Sequence, residues 1–131
     1  MSTLRTNALE GMDAKNSITI VAGAGNVTTT NIEQGLAKAY CRIVQTSTQS
    51  IGGSFNIASI NDNGTGKTEY SFTNNMSSGT QYAVLSSSNQ EGASSEHSTL
   101  TASQYEVRSL GNDGSLADGS QISSEIVGDL A

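Results

Sequence analysis

From Tyr40 onward the chain alternates apolar and polar side chains, and clusters of Gly, Asn, Asp and Ser interrupt the alternation roughly every ten residues. A period of two sends successive side chains to opposite faces of an extended strand, so this region cannot fold as a helical bundle. Ala39, Cys41 and Ile43 alternate with Tyr40, Arg42 and Val44; Thr68, Tyr70 and Phe72 alternate with Lys67, Glu69 and Ser71. Phe55 and Ile57 fall on one face of an intervening segment. Tyr82 and Val84 follow, then Tyr105 and Val107 set against Gln104, Glu106 and Arg108, and Gln121 to Val127 predicts a last strand. The breaks are turn formers: Gly52-Gly53, Asp62-Asn63-Gly64-Thr65-Gly66, Ser77-Ser78-Gly79 and Asn112-Asp113-Gly114. Ile60 to Lys67 reads as a hairpin, because Asn and Gly tolerate the positive φ of such turns. The pattern predicts an all-β fold, a small antiparallel β-sandwich of jelly-roll-like kind over residues 36–131. The expected core is Tyr40, Ile43, Phe55, Ile57, Tyr70, Phe72, Tyr82, Val84, Tyr105 and Val107.

Residues 1–35 are mostly small and polar and read as an extended N-terminal arm. Ser17 to Ala22 predicts one short strand before the Gly23-Ala24-Gly25-Asn26 turn cluster. Thr30-Asn31-Ile32-Glu33 has the form of a capping box, which predicts a helix of two turns over Ile32 to Ala39. Composition explains why such a chain would look for support. Leu, Ile, Val and Phe make up 25 of 131 residues and Ser, Thr and Asn 46, with Gly 14, Pro 0 and Trp 0. Apolar content this low borders on that of disordered chains, but only 14% of residues are charged, too few to keep the chain open. A domain of this size with a thin core is marginal alone, so association with copies or docking on a larger body is the first structural expectation.

Charge excludes several functions. The net charge is −6 and the Lys and Arg residues stand singly, so no basic footprint for nucleic acid exists. No apolar run is long enough for a membrane-spanning helix and no signal-like stretch opens the sequence, which predicts synthesis in the cytoplasm without membrane insertion. Cys41 is the one cysteine and reads as a small buried apolar residue. The sequons at Asn26, Asn63 and Asn75 would matter only after secretion. Asn61 to Thr68 ends in the Gly-Lys-Thr of a phosphate loop, but Asn61 stands where the first glycine belongs, and a strand rather than a helix follows; a hairpin turn is the better reading. His97, the one histidine, reads as a solvated loop residue, since no Gly-x-Ser-x-Gly elbow accompanies it. Asn112, Asp113, Asp118 and Asp129 lack calcium-loop spacing and read as turn residues. Tyr70, Tyr82 and Tyr105 could stack on sugars if exposed, but a chain this poor in aromatics should bury most of them. No catalytic, cofactor-binding or metal-binding residue is therefore expected, and no cofactor.

Gly35-Leu36-Ala37-Lys38-Ala39-Tyr40, the run Ser54-Phe55-Asn56-Ile57-Ala58-Ser59-Ile60-Asn61-Asp62-Asn63-Gly64-Thr65-Gly66, Tyr70 to Met76, Tyr82-Ala83-Val84 and the terminal Gly128-Asp129-Leu130-Ala131 resemble the small virion proteins of marine tailed bacteriophages such as cyanophages. The likeness spans about residues 35–131, and Thr3-Leu4-Arg5-Thr6-Asn7 resembles the leaders of that family. Tyr40 stands where those proteins usually carry Trp, and Cys41-Arg42-Ile43 replaces a strand that contains an aromatic residue. The resemblance brings no catalytic residues. It implies a fibre, knob or capsid decoration protein of the virion, often a homotrimer, held to other capsid or tail proteins by its arm, with Leu4, Arg5, Leu9, Ile18 and Ile20 as attachment residues. A tail tip would contact a host-surface glycan or receptor through a variable loop such as Ser86 to Ser98; a cement protein would stabilise the head without binding a receptor. A stand-alone glycan-binding module is the alternative from another class, and an enzyme comes last.

Overall fold

The computed structural model describes residues 19–22, 28–31, 36–89 and 94–131. The chain divides into two compact units, residues 1–36 and 37–131. In the first, β1 (Thr19–Ala22) and β2 (Thr28–Asn31) pair antiparallel, Thr19 opposite Asn31 and Ala22 opposite Thr28. The single strand expected over Ser17 to Ala22 is thus one half of a two-stranded ribbon. Leu4, Arg5, Leu9 and Ile18 lie outside the described residues; Ile20 sits in β1 opposite Thr30.

The second unit holds β3 (Ala37–Val44), β4 (Ser50–Phe55), β5 (Ile57–Asp62), β6 (Lys67–Phe72), β7 (Tyr82–Ser88), β8 (Ser94–Ser98), β9 (Gln104–Leu110) and β10 (Ile122–Gly128). They form two four-stranded antiparallel sheets, sheet I in the order β4-β3-β10-β7 and sheet II in the order β5-β6-β9-β8. No helix occurs among the described residues. The expected helix is corrected where it is described: Ala37 to Ala39 open β3, while Ile32 to Gly35 lie outside the described residues. Alternation won over the cap signal because Ala39, Cys41 and Ile43 are all buried between the sheets, which a helical period would not allow.

Phe55 and Ile57 do not share a strand. Asn56 between them has φ 57°, and the chain turns there from the edge of sheet I to the edge of sheet II. Asn tolerates this left-handed conformation better than other residues with a side chain. Its amide holds the corner: Nδ2 donates to the carbonyls of Lys38 and Asn74 at 3.0 Å each, and Oδ1 accepts from the Asn74 N–H at 2.7 Å.

The core between the sheets comprises Ala39, Cys41 and Ile43 of β3, Tyr70 and Phe72 of β6, Tyr82 of β7, Tyr105 and Val107 of β9, Ile122 and Ile126 of β10, and Met76. Ile57, Ile60, Val84, Leu100 and Leu130 pack partly buried around it. Aromatic stacking compensates for the small number of aliphatic residues. The Tyr70 and Tyr105 rings lie 4.7 Å apart and 5° from parallel, and Phe72 meets Tyr82 edge-on at 5.7 Å. The buried polar atoms are largely paired: Tyr105 shares a 2.8 Å hydrogen bond with Ser124, the Tyr82 hydroxyl donates to the Thr101 carbonyl, and Gln45 joins Thr68 to the Gly119 backbone. One chain therefore closes this core itself, and its C-terminus joins in, with Ala131 donating to Asn75 and Leu130 bridging to Met76.

Candidate ligand-binding face

Eight of the ten expected core residues pack in the core or against it: Ile43, Tyr70, Phe72, Tyr82, Tyr105 and Val107 are buried or nearly so, and Val84 is half-buried. Ile57 joins them as a half-buried neighbour. Tyr40 and Phe55 do not. They are 48% and 55% exposed, side by side on the outer face of sheet I, with ring centroids 6.3 Å apart. The alternation of β3 requires this result. Cys41 and Ile43 face the core, so Tyr40 must face out, and Phe55 follows because it pairs directly with Tyr40. The sugar-stacking surface weighed for Tyr70, Tyr82 and Tyr105 is correspondingly absent, since all three rings are buried.

Two rows of side chains define the outer face of sheet I. Cross-strand register aligns Phe55, Tyr40, Glu125 and Leu85 in one row, and Gly53, Arg42, Ser123 and Ser87 in the next. Leu85 is 55% exposed. Between the rows lies an open groove of about 470 Å³, lined by Tyr40, Arg42, Leu85, Ser87, Ser123 and Glu125 among others. Gly53 pairs with Arg42, so β4 places no side chain beside it. Arg42 donates through one Nη to Gln121 Oε1 at 2.9 Å, and its other donors stay available. The Glu125 carboxylate makes no hydrogen bond to a described residue. The groove has Tyr40 on one side and Leu85 on the other with Glu125 between them, Phe55 lies beyond Tyr40 at the edge of the sheet, and Arg42 and serine hydroxyls line the next row.

The outer face of sheet II is built from the same alternation, and its polar side chains largely bond one another. Asn61, Glu69, Glu106 and Ser98 form one row, and Lys67, Arg108 and Glu96 the next. Glu106 accepts from Asn63 at 2.9 Å, Arg108 at 2.9 Å and Ser98 at 3.3 Å, while Gln104 donates to Glu69 at 2.8 Å. Burial alone would raise the Glu106 pKa, but those donors and the Arg108 charge outweigh it and hold the carboxyl below the usual glutamate range.

The remaining candidates fall to structural roles. Asp62 to Lys67 is the β5–β6 hairpin, with Lys67 N donating to Gly64 O, and Asp118 accepts from Gly66 N at 2.6 Å in place of any phosphate. Gly66 has φ 68°, and a Cβ there would lie 2.6 Å from the Ser109 carbonyl, so the turn requires glycine. His97 is a correction: it lies in β8, not in a loop, exposed opposite Val107. The same correction applies to Ser86 to Ser98, whose flanks are β7 and β8; residues 90–93 lie outside the described residues. Asp113 caps its own turn through Ser115 N, and Asp129 docks by its backbone on Gln81 and Ser77. No group of three potential metal ligands occurs among the described residues. Cys41 is buried, and desolvation pushes its thiol up to about 11, which leaves it a small apolar side chain. Comparison with known proteins gives no match to any family model, curated protein or solved structure.

Proposed function

We propose that this chain is a structural protein of a tailed-bacteriophage virion, a fibre, knob or decoration component without enzymatic activity. Residues 36–131 form its outward body, a jelly-roll-like sandwich, and residues 1–35 form the arm that fixes it to capsid or tail proteins. It is made in the host cytoplasm and works on the particle as a homotrimer. The sequence resemblance motivates the virion assignment. The observation that carries the non-enzymatic reading is how the reactive side chains are used. Glu106, Arg108, Asp118 and Gln45 are committed to bonds that hold strands and turns together, whereas the outer face of sheet I is an open surface that exposes aromatic and apolar side chains. Such a division suits a body that displays a contact surface.

Peptide mass spectrometry on purified particles of the encoding phage tests the assignment. The chain should be present in multiples expected of a structural subunit, and its absence from particles removes the proposal. Light scattering on the isolated chain should return about three times the 13.5 kDa of one copy. A monomer at micromolar concentration would remove the trimer. Particles lacking the chain separate the two placements, since loss of adsorption marks a tail tip and loss of head stability with normal adsorption marks a cement protein.

A further inference from the structure

We infer that Asn63 and Gly64, in the β5–β6 hairpin, form a self-modification site at which Asn63 converts, without an enzyme, to aspartate and isoaspartate. This is the one Asn-Gly pair in the sequence. The reaction needs the Gly64 nitrogen to attack the Asn63 side-chain carbonyl, an approach that a side chain on the following residue obstructs. Gly64 has none, and at its φ of 103° it faces open space. Each reacting atom already has the neighbour this chemistry calls for. The Gly64 N–H, which must lose its proton, donates to the Asp62 carboxylate at 2.9 Å. Asn63 Oδ1, where negative charge develops, accepts from Asn61 Nδ2 at 2.7 Å. Asn63 Nδ2, the leaving group, donates to Glu106 Oε2 at 2.9 Å, which favours the proton it takes up on departure. Asn61 to Thr65 are exposed, so water reaches the site.

The Gly64 proton passes to Asp62 as the Gly64 nitrogen bonds Asn63 Cγ. The adduct collapses by breaking the Cγ–Nδ2 bond; Nδ2 takes a proton from Asp62 or water and leaves as ammonia, and a succinimide ring remains. Water opens the ring at Cγ to give aspartate, or at the backbone carbonyl carbon of residue 63 to give isoaspartate. One water is consumed and one ammonia released. Asp113-Gly114 lacks this arrangement: the Gly114 N–H donates to the Gly111 carbonyl at 3.0 Å, a much weaker base, and a carboxylate is a poorer electrophile than an amide. The product alters the outer face of sheet II, because a carboxylate replaces the amide that donated to Glu106. Burial already pushes the Glu106 pKa up, and the Asn63 amide is among the donors that outweigh it; exchanging that donor for a negative charge raises the pKa and removes stability at neutral pH. None of this depends on the virion reading.

The test incubates the full chain at neutral pH, folded or unfolded in guanidinium chloride, and follows the exchange of NH₂ for OH at each asparagine by peptide mass spectrometry. Asn63 should convert faster in the folded chain than in the unfolded one, and faster than every other asparagine. Asp62→Asn keeps a hydrogen-bond acceptor but loses the base, so it should slow the folded conversion about tenfold and leave the unfolded rate unchanged. Asn61→Ala should also slow only the folded conversion. The inference is overturned if folded Asn63 converts no faster than unfolded Asn63, which would make its bonds protective, or if neither substitution changes the folded rate. Asn63→Asp reads the consequence separately. It should unfold at a lower denaturant concentration than the wild type at neutral pH, with the deficit shrinking on acidification, and an unchanged midpoint would overturn the coupling to Glu106.

Discussion

The two outer faces of this sandwich come from the same period-two pattern and end in opposite states. On sheet II, every carboxylate of the central row is engaged: Glu69 by Gln104, and Glu106 by Asn63, Arg108 and Ser98. On sheet I, the equivalent positions carry Tyr40, Phe55 and Leu85 beside a carboxylate, Glu125, with no partner among the described residues. The contrast shows that alternation fixes which residues face outward, while the identity of those residues decides whether the face is finished within the chain or left for a partner.

Four substitutions sharpen that contrast, in descending order of expected effect. Tyr105→Ala removes one ring of the stacked pair between the sheets and should cost about 3–5 kcal/mol in denaturant unfolding, loosening both faces together. A loss under about 1 kcal/mol would mean the core is not the common support of the two sheets. Asn56→Ala keeps the composition of both sheets but breaks the corner joining their edges. The left-handed backbone and the lost amide bonds together should cost about 2–3 kcal/mol, and Asn56→Gly should recover part of it.

Glu106→Gln tests the finished face through pH. The folded carboxyl titrates below its ordinary value of 4.5, so the folded state binds that proton less tightly than the unfolded chain. Its stabilisation is complete above the ordinary value and is lost as pH falls through the lower folded value. The wild type should therefore lose stability faster than Glu106→Gln on acidification below about pH 4.5, and parallel curves would contradict the role given to Glu106. Tyr40→Ala, on the open face, should change stability by no more than about 0.5 kcal/mol, because the ring is already half in water. A cost near that of Tyr105→Ala would show that Tyr40 works as a core residue after all.

Much of this architecture is legible in the residues. The inward sets Thr68-Tyr70-Phe72 and Tyr105-Val107, the Asp62 to Lys67 hairpin and the last strand all follow from alternation and turn chemistry. What is hidden is long-range. Phe55 and Ile57, two residues apart, look like one face of one strand until Asn56 turns the chain between sheets, and its contacts with Lys38, Thr73 and Asn74, distant in sequence, stabilise that turn. Counting Tyr40 as core treats an aromatic residue as buried by type; Cys41 and Ile43 on the same strand already place it on the opposite face. The groove is the least legible feature, because Tyr40, Leu85 and Glu125 come from three strands far apart in sequence and only register aligns them.

The most direct measurement is a backbone amide NMR titration of the full chain with a small aromatic probe such as phenol. Shift changes should be confined to Tyr40, Arg42, Phe55, Leu85, Ser123 and Glu125, while Glu69, Gln104 and Glu106 stay still. Changes centred on the Glu69–Glu106 row, or spread evenly over both sheets, would contradict the division between a finished face and an open one.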